Sequence, residues 1–261
     1  MKKLLFLLLI LTLSACDREF ARGERYFLQE EYAAAIKEFN KVLFLKVTDT
    51  QSLFLRARAF EELEQFKEAF EDYNRILSLR PDHAHAYAGK GKIYWKLKKY
   101  KEAEVELLKA AQYAPDDADI LLLLGRSMLK NGRFKSADEF LDQAKKIRPE
   151  AADIYYYQGM ARSQIGDING AAASFNMALR YDPDNLAARY NRGLTLLIIG
   201  YLPWAEDDFD DVLRYKPDHV EALAHRGVAR VRQNKRSGCA DIEAAMAKGS
   251  QYAARNRHLC P

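Results

Sequence analysis

The sequence lacks the ~20-residue apolar run that a membrane-spanning helix requires. Its nearest approach is Leu4 to Leu13, at the start of the chain. Cysteine is scarce, with three residues in 261, and no two stand in a C-x-x-C spacing, which argues against a redox motif. The histidines are His83, His85, His219, His225 and His258; His83 and His85 could offer two metal ligands, but nothing is spaced to supply a third. Charge of one sign is equally scarce. Lys plus Arg total 41 against 37 Asp plus Glu, a formal +4 that is too weak a bias to call for nucleic acid. Gly89-Lys90-Gly91-Lys92 is glycine-rich, yet it has neither the preceding strand nor the spacing of a phosphate loop. No serine, cysteine or carboxylate pair comes with a base and an orienting partner, so no enzyme, cofactor or small-molecule substrate is expected. No low-complexity linker or compositional break marks a second domain.

What the chain has instead is a period. Pro81, Pro115, Pro149, Pro183 and Pro217 stand 34 residues apart, each followed by an acid. Numbering each cycle so that proline is position 32 brings other residues into line. Position 8 is small in all seven cycles: Gly23, Ala57, Gly91, Gly125, Gly159, Gly193 and Gly227. Position 20 is Ala35, Ala69, Ala103, Ala137, Ala171 and Ala205, then Cys239. Position 24 is large and apolar: Phe39, Tyr73, Leu107, Leu141, Phe175 and Phe209. Small residues at positions 8 and 20 let two antiparallel helices approach closely, and the large residue fills the space between neighbours. Proline ends the second helix of each pair, and the acid after it is placed to N-cap the next helix. In the seventh cycle Glu243 stands in the large apolar position, which suits a terminal cap with no further repeat to cover.

This pattern resembles the tetratricopeptide repeat (TPR) family, W-x2-L-G-x2-Y…A-x3-F…P, over roughly residues 17 to 250. The resemblance implies an all-α, right-handed TPR superhelix, an α-solenoid of six repeats plus a partial seventh that acts as C-terminal cap. The repeats are expected at about 16–49, 50–83, 84–117, 118–151, 152–185 and 186–219, with the partial repeat and cap at 220–261. The chain departs from the family at position 7, where leucine is replaced by Arg22, Arg56, Lys90, Arg192 and Arg226. It departs again at position 11, where Arg162 and Arg230 replace an aromatic residue.

Lys2 and Lys3, the apolar stretch and Leu13-Ser14-Ala15-Cys16 read as a secretory signal over residues 1–15. The last four residues resemble a bacterial lipobox, which implies that Cys16 becomes the lipidated first residue. An ordinary signal peptide with a cysteine nearby is the other reading. By resemblance to enterobacterial lipoproteins, Asp17 favours the inner membrane, with the outer membrane as the alternative, and the protein faces the periplasm. The remaining cysteines, Cys239 and Cys260, invite a disulfide in an oxidising compartment; a small buried thiol plus a free cysteine in the tail is the alternative.

In TPR proteins positions 2, 5, 6, 9, 12 and 13 of the first helices line a concave groove. Here that resemblance selects Phe54, Arg58, Lys92, Trp95, Lys96, Arg126, Lys130, Tyr156, Tyr157, Tyr190 and Asn191, a mixture of aromatic and basic groups suited to a peptide. The basic middle of the groove would favour an acidic or C-terminal carboxylate segment. The carboxylate clamp of some TPR domains needs lysine at position 5 and asparagine at position 9. Position 5 holds Phe54, Ala88, Leu122, Tyr156 and Tyr190, and position 9 has no asparagine, so a more apolar peptide or a folded partner fits better. The expected function is therefore a non-catalytic, lipid-anchored scaffold in the cell envelope, tethered to the membrane through its N-terminal lipid and binding a protein partner. A pilotin-like or outer-membrane assembly factor is the alternative.

Overall fold

The computed structural model describes residues 16–260, so the expected signal segment 1–15 lies outside the described residues. Helices come in pairs: α1 (16–28) and α2 (Tyr32–Leu45), α3 (Thr50–Glu62) and α4 (Phe66–Leu79), α5 (Ala84–Lys96) and α6 (Tyr100–Tyr113). Next come α7 (Ala118–Lys130) and α8 (Phe134–Ile147), α9 (Ala152–Ile165) and α10 (Ile168–Tyr181), α11 (Leu186–Ile199) and α12 (Leu202–Tyr215). The chain finishes with α13 (Val220–Arg232), α14 (Ser237–Ala247), the short α15 (Gln251–Arg255) and a 3-10 turn at Arg257–Leu259. No strand occurs among the described residues. The chain divides into two compact units between Ser127 and Met128, and within each unit consecutive helices pack on one another.

Within the units, pairs close on the fit between position 8 and position 24, as at Gly23 with Phe39, Gly91 with Leu107, Gly159 with Phe175 and Gly193 with Phe209. A Cβ built on Gly159 would lie 2.6 Å from the Phe175 ring, and one on Gly193 would lie 2.9 Å from the Phe209 ring. Only hydrogen fits there. Phe39, Tyr73, Leu107, Phe175 and Phe209 are all buried. Each burial of such a side chain is worth ~1.5–3 kcal/mol.

The turn inside each pair places position 15 in the left-handed region. Gly132, Gly166 and Gly200 do this without strain, whereas Glu30 (φ 61°), Glu64 (φ 57°), Lys98 (φ 59°) and Asn234 (φ 63°) do it at the steric cost of a Cβ. The following amide then bonds back to position 11, as in Gln65 N–H to the Phe60 carbonyl (2.8 Å) and Lys99 N–H to that of Tyr94 (2.9 Å).

The expectation for the N-caps needs correcting by one residue. The acid after proline lies in the turn, and the residue after it caps. Asp49 accepts from Ser52 N–H (2.9 Å), His83 Nδ1 from Ala86 N–H (3.1 Å), Asn185 from Ala188 N–H (2.9 Å) and His219 Nδ1 from Ala222 N–H (3.1 Å). The physical reason is length: two turn residues must follow the end of one helix before the next can start.

The basic residues at position 7 do more than cover apolar surface. Arg56 grips Asp72 through Nε (2.8 Å) and Nη2 (2.6 Å), and its Nη1 reaches Asn40 of the preceding repeat (2.6 Å). Arg192 repeats this with Asp208 (2.8 and 2.5 Å) and Asn176 (2.8 Å), and Arg226 does so with Asp241 (2.8 and 2.8 Å) and Asp210 (2.7 Å). Each arginine thus ties three helices together. Position 11 is compensated too: Arg162 bonds to Asp138 (3.0 Å) and Arg230 to Glu206 (2.9 Å), both in the preceding repeat.

The seventh repeat is shifted by one residue against the 34-residue register. Gly238, not Cys239, approaches α13, lying against the Gly227 backbone, and Ile242 packs where Glu243 would fall. Glu243 is exposed and faces Arg257 (3.4 Å). Cys239 is therefore turned aside, where it is bonded to Cys260 (S–S 2.11 Å, Cα–Cα 5.6 Å).

Two outcomes follow for stability. Arg192→Leu leaves Asp208 buried without its partner and should cost about 3 kcal/mol in urea unfolding. Adding Asp208→Phe, which copies the Leu124 and Phe140 of the fourth cycle, should restore stability to within about 1 kcal/mol of wild type. Separately, Glu64→Gly should raise stability by up to about 1 kcal/mol by relieving its left-handed backbone.

Candidate functional site

The first helices of successive pairs, α3, α5 and α7, border a cleft of about 530 Å3 in the unit ending at Ser127. Phe54, Arg58 and Glu61 come from α3, and Ala88, Gly89 and Lys92 from α5. Asp119, Ile120 and Leu123 come from α7, with His85 and Asp117 at the helix starts and Tyr73 as floor.

The floor depends on one matched pair. Tyr73 is the only tyrosine at position 24, and Gly89 is the only glycine at position 6, where other cycles carry Ala21, Leu55, Leu123, Tyr157, Asn191 and His225. A Cβ on Gly89 would sit 2.3 Å from Tyr73 Cζ. The glycine lets the phenol pass beneath α5, where its hydroxyl donates to the Glu61 carboxylate. Glu61 is 2% exposed, and its other oxygen meets Lys92 Nζ at 3.2 Å. Burial, then the Glu61 charge, pushes the Tyr73 hydroxyl well above its ordinary pKa. Burial works against the Lys92 ammonium, but Glu61 and Glu62 outweigh it and hold its pKa above the ordinary value.

Of the residues selected from the sequence, Phe54, Arg58 and Lys92 line this cleft. Arg58 lies over Phe27 (4.9 Å) and Phe54 (6.0 Å). Trp95 packs on Tyr100 (4.5 Å) with Arg126 over its ring (5.2 Å), and Lys96 donates to the Glu61 carbonyl (3.4 Å). Lys130 is exposed near the end of α7. In the unit from Met128 onward, Tyr156 meets Tyr157 (5.1 Å) and Phe175 (6.1 Å), and Asn191 is half-buried on α11. Tyr190 belongs to a further cluster with His219 (4.8 Å) and His225 (5.9 Å), and His225 stacks on Tyr252 (4.0 Å).

The cleft is not the basic surface that the sequence led us to expect. Arg58 and Lys92 share it with Glu61, Asp117 and Asp119, and His85 Nε2 lies 3.2 Å from Asp117. Its chemistry is mixed: an aromatic and aliphatic wall with charges of both signs. Tyr73 and Asp117 lie outside the groove positions, whereas Asp119 stands at position 2 and was passed over. The signal for Tyr73 was the pairing of a unique tyrosine with a unique glycine.

Among the described residues no three His, Cys, Asp or Glu side chains are placed to hold a metal ion. No described helix is long and apolar enough to cross a membrane.

Two half-buried histidines make stability depend on pH. Burial, helped by Arg80, lowers the His83 pKa, and burial lowers that of His225. The unfolded chain therefore takes up these protons first, so stability present above about pH 6.5 is lost as pH falls through the folded values. The urea midpoint should drop between pH 7.5 and pH 5 beyond what His83→Asn, which keeps a cap, combined with His225→Phe shows over the same range.

Models of the tetratricopeptide repeat match residues 54–118, 105–162 and 156–202, together more than half of the chain. Among solved structures, YrrB, described as a TPR protein with an unusual peptide-binding site, is 25% identical, with a TM-score of 0.65 over 71% of this chain and 95% of that one. PilF of Pseudomonas aeruginosa is 17% identical, with a TM-score of 0.70 over 80% of this chain and 95% of that one. A tetratricopeptide repeat protein from Parabacteroides merdae is 12% identical, with a TM-score of 0.64 over 94% and 98%. The last two likenesses carry the fold alone. No curated protein sequence matches the chain.

Proposed function

The chain belongs to the tetratricopeptide repeat family, whose members are protein-binding scaffolds, and on that premise we propose that it is a non-catalytic adaptor. It binds an extended, amphipathic peptide segment of a protein partner in the cleft between α3, α5 and α7. The observation that carries this reading is the cleft itself, where a fixed aromatic wall at Phe54 stands beside cations and carboxylates already held in place. Side chains that are ordered before binding lose little entropy on binding. The peptide-binding site ascribed to YrrB supports the same use of the fold.

The adaptor is anchored by lipid on Cys16 and works in the cell envelope, on the periplasmic side. Multiple acyl chains make such an anchor stable, and confinement to a surface raises the local concentration of whatever the cleft holds.

Panning a random peptide library against the purified protein, followed by calorimetry, tests the binding reading. Selected peptides should lose about thirtyfold in affinity on Phe54→Ala or Arg58→Ala, as at a hot spot worth ~2 kcal/mol. Lys101→Ala on the exposed side of α6 should leave affinity unchanged. Selected peptides indifferent to Phe54 and Arg58 would refute the cleft. For the anchor, cells fed radiolabelled palmitate should label the wild-type chain and not Cys16→Ser; an unlabelled wild type would refute it.

A further inference from the structure

The turn between α11 and α12 differs from its six counterparts. At position 16 the other cycles carry Glu31, Gln65, Lys99, Arg133, Asp167 and Lys235; here stands Tyr201. At position 19 they carry Ala34, Glu68, Glu102, Ser136, Gly170 and Gly238; here stands Trp204. Both are exposed, at 53% and 62%, and Ile198 beside them is 63% exposed. The two rings are stacked, with centroids 5.4 Å apart and planes 11° from parallel. Pro203 sits in the first turn of α12 and stiffens the tip.

The end of α13 and the turn that follows it are basic, with exposed Arg232, Lys235 and Arg236. The two turns are neighbours: Arg232 donates to the Leu197 carbonyl (3.2 Å), and Lys235 reaches Glu206 of α12 (2.6 Å). Glu206 is also held by Arg230, while Asp207, the next residue of α12, is exposed.

We propose that this edge, Ile198, Tyr201 and Trp204 together with Arg232 and Arg236, is a docking surface for an anionic phospholipid bilayer. Tryptophan and tyrosine favour the headgroup level, where an apolar ring and a polar tip are both accommodated. Cations beside them are drawn to a negative leaflet. A projecting tip that combines the two matches an interface plane, and the charge complementarity selects anionic over neutral lipid. The surface goes beyond the adaptor reading and does not depend on acylation of Cys16.

The chain has two tryptophans, Trp95 and Trp204, so each can be observed alone. The full chain carrying Trp95→Phe, or Trp204→Phe, is incorporated into vesicles of brominated phosphatidylglycerol or brominated phosphatidylcholine. Trp204 should be quenched and blue-shifted in the anionic vesicles and much less in the neutral ones, while Trp95 stays unquenched in both. Arg236→Gln should weaken the anionic contact roughly fivefold, the equivalent of ~1 kcal/mol per cation at such a surface. Trp204 emission unchanged by anionic vesicles would overturn the proposal, as would equal quenching of both tryptophans. So would a Trp204 already shielded without lipid in a chain that sediments as a dimer, which would assign the edge to a second copy. Palmitate labelling of Cys16 reads separately, so failure of the anchor and failure of this edge are distinguishable.

Discussion

The contact of the position-24 side chain with the position-8 glycine, as at Gly23, Gly91, Gly159 and Gly193, is the constraint on which the helix pairing depends. Where the Cβ would fall within 3 Å of a neighbouring ring, as at Gly159 and Gly193, the helices have no room for any larger residue. The approach fixes how far apart the two helices lie and how they are rotated. Rotation in turn decides which positions of the first helix face outward. Binding residues can then vary from repeat to repeat while the packing does not, as in other repeat proteins whose units contact only their neighbours.

That division explains what could be read in advance. Proline spacing, the small columns and the large column each reflect a single residue type acting alone, so they appear in a list of positions. The arginines at position 7 do not. Arg56, Arg192 and Lys90 make sense only beside Asp72, Asp208 and Glu106 at position 23, and the cycles that lose the cation lose the acid. The pairing of Arg162 and Arg230 with acids of the preceding repeat is of the same kind. Compensation between columns is visible in the sequence, but only to a reading that compares columns in pairs. Burying such charges costs desolvation that pairing offsets. What the bidentate geometry adds is register, because each arginine reaches three helices at once.

Other features had no signal of their own. Glu64 and Lys98 adopt left-handed backbone without being glycine, because the turn geometry imposed by the neighbouring helices overrides their preference. That the cap falls one residue beyond the acid is hidden in the sequence because a polar residue occupies both places in several cycles. The slip in the last repeat was masked by Gly238 and Cys239 both being small. The cleft was half legible. Phe54, Arg58 and Lys92 were placed by position, whereas Tyr73 was read as core, and only its hydroxyl beneath Gly89 turns that core residue into the floor of a site.

If the outward positions of α3, α5 and α7 are the binding face, a reactive group placed there should find the partner, and one on the second helices should not. The direct measurement is photo-crosslinking in living cells from Ala88, inside the cleft, and from Lys101, exposed on α6. A discrete adduct is expected from Ala88, lost on Arg58→Ala, and none from Lys101. An adduct from Lys101 with none from Ala88 would contradict this expectation, and would move the binding surface to the second helices.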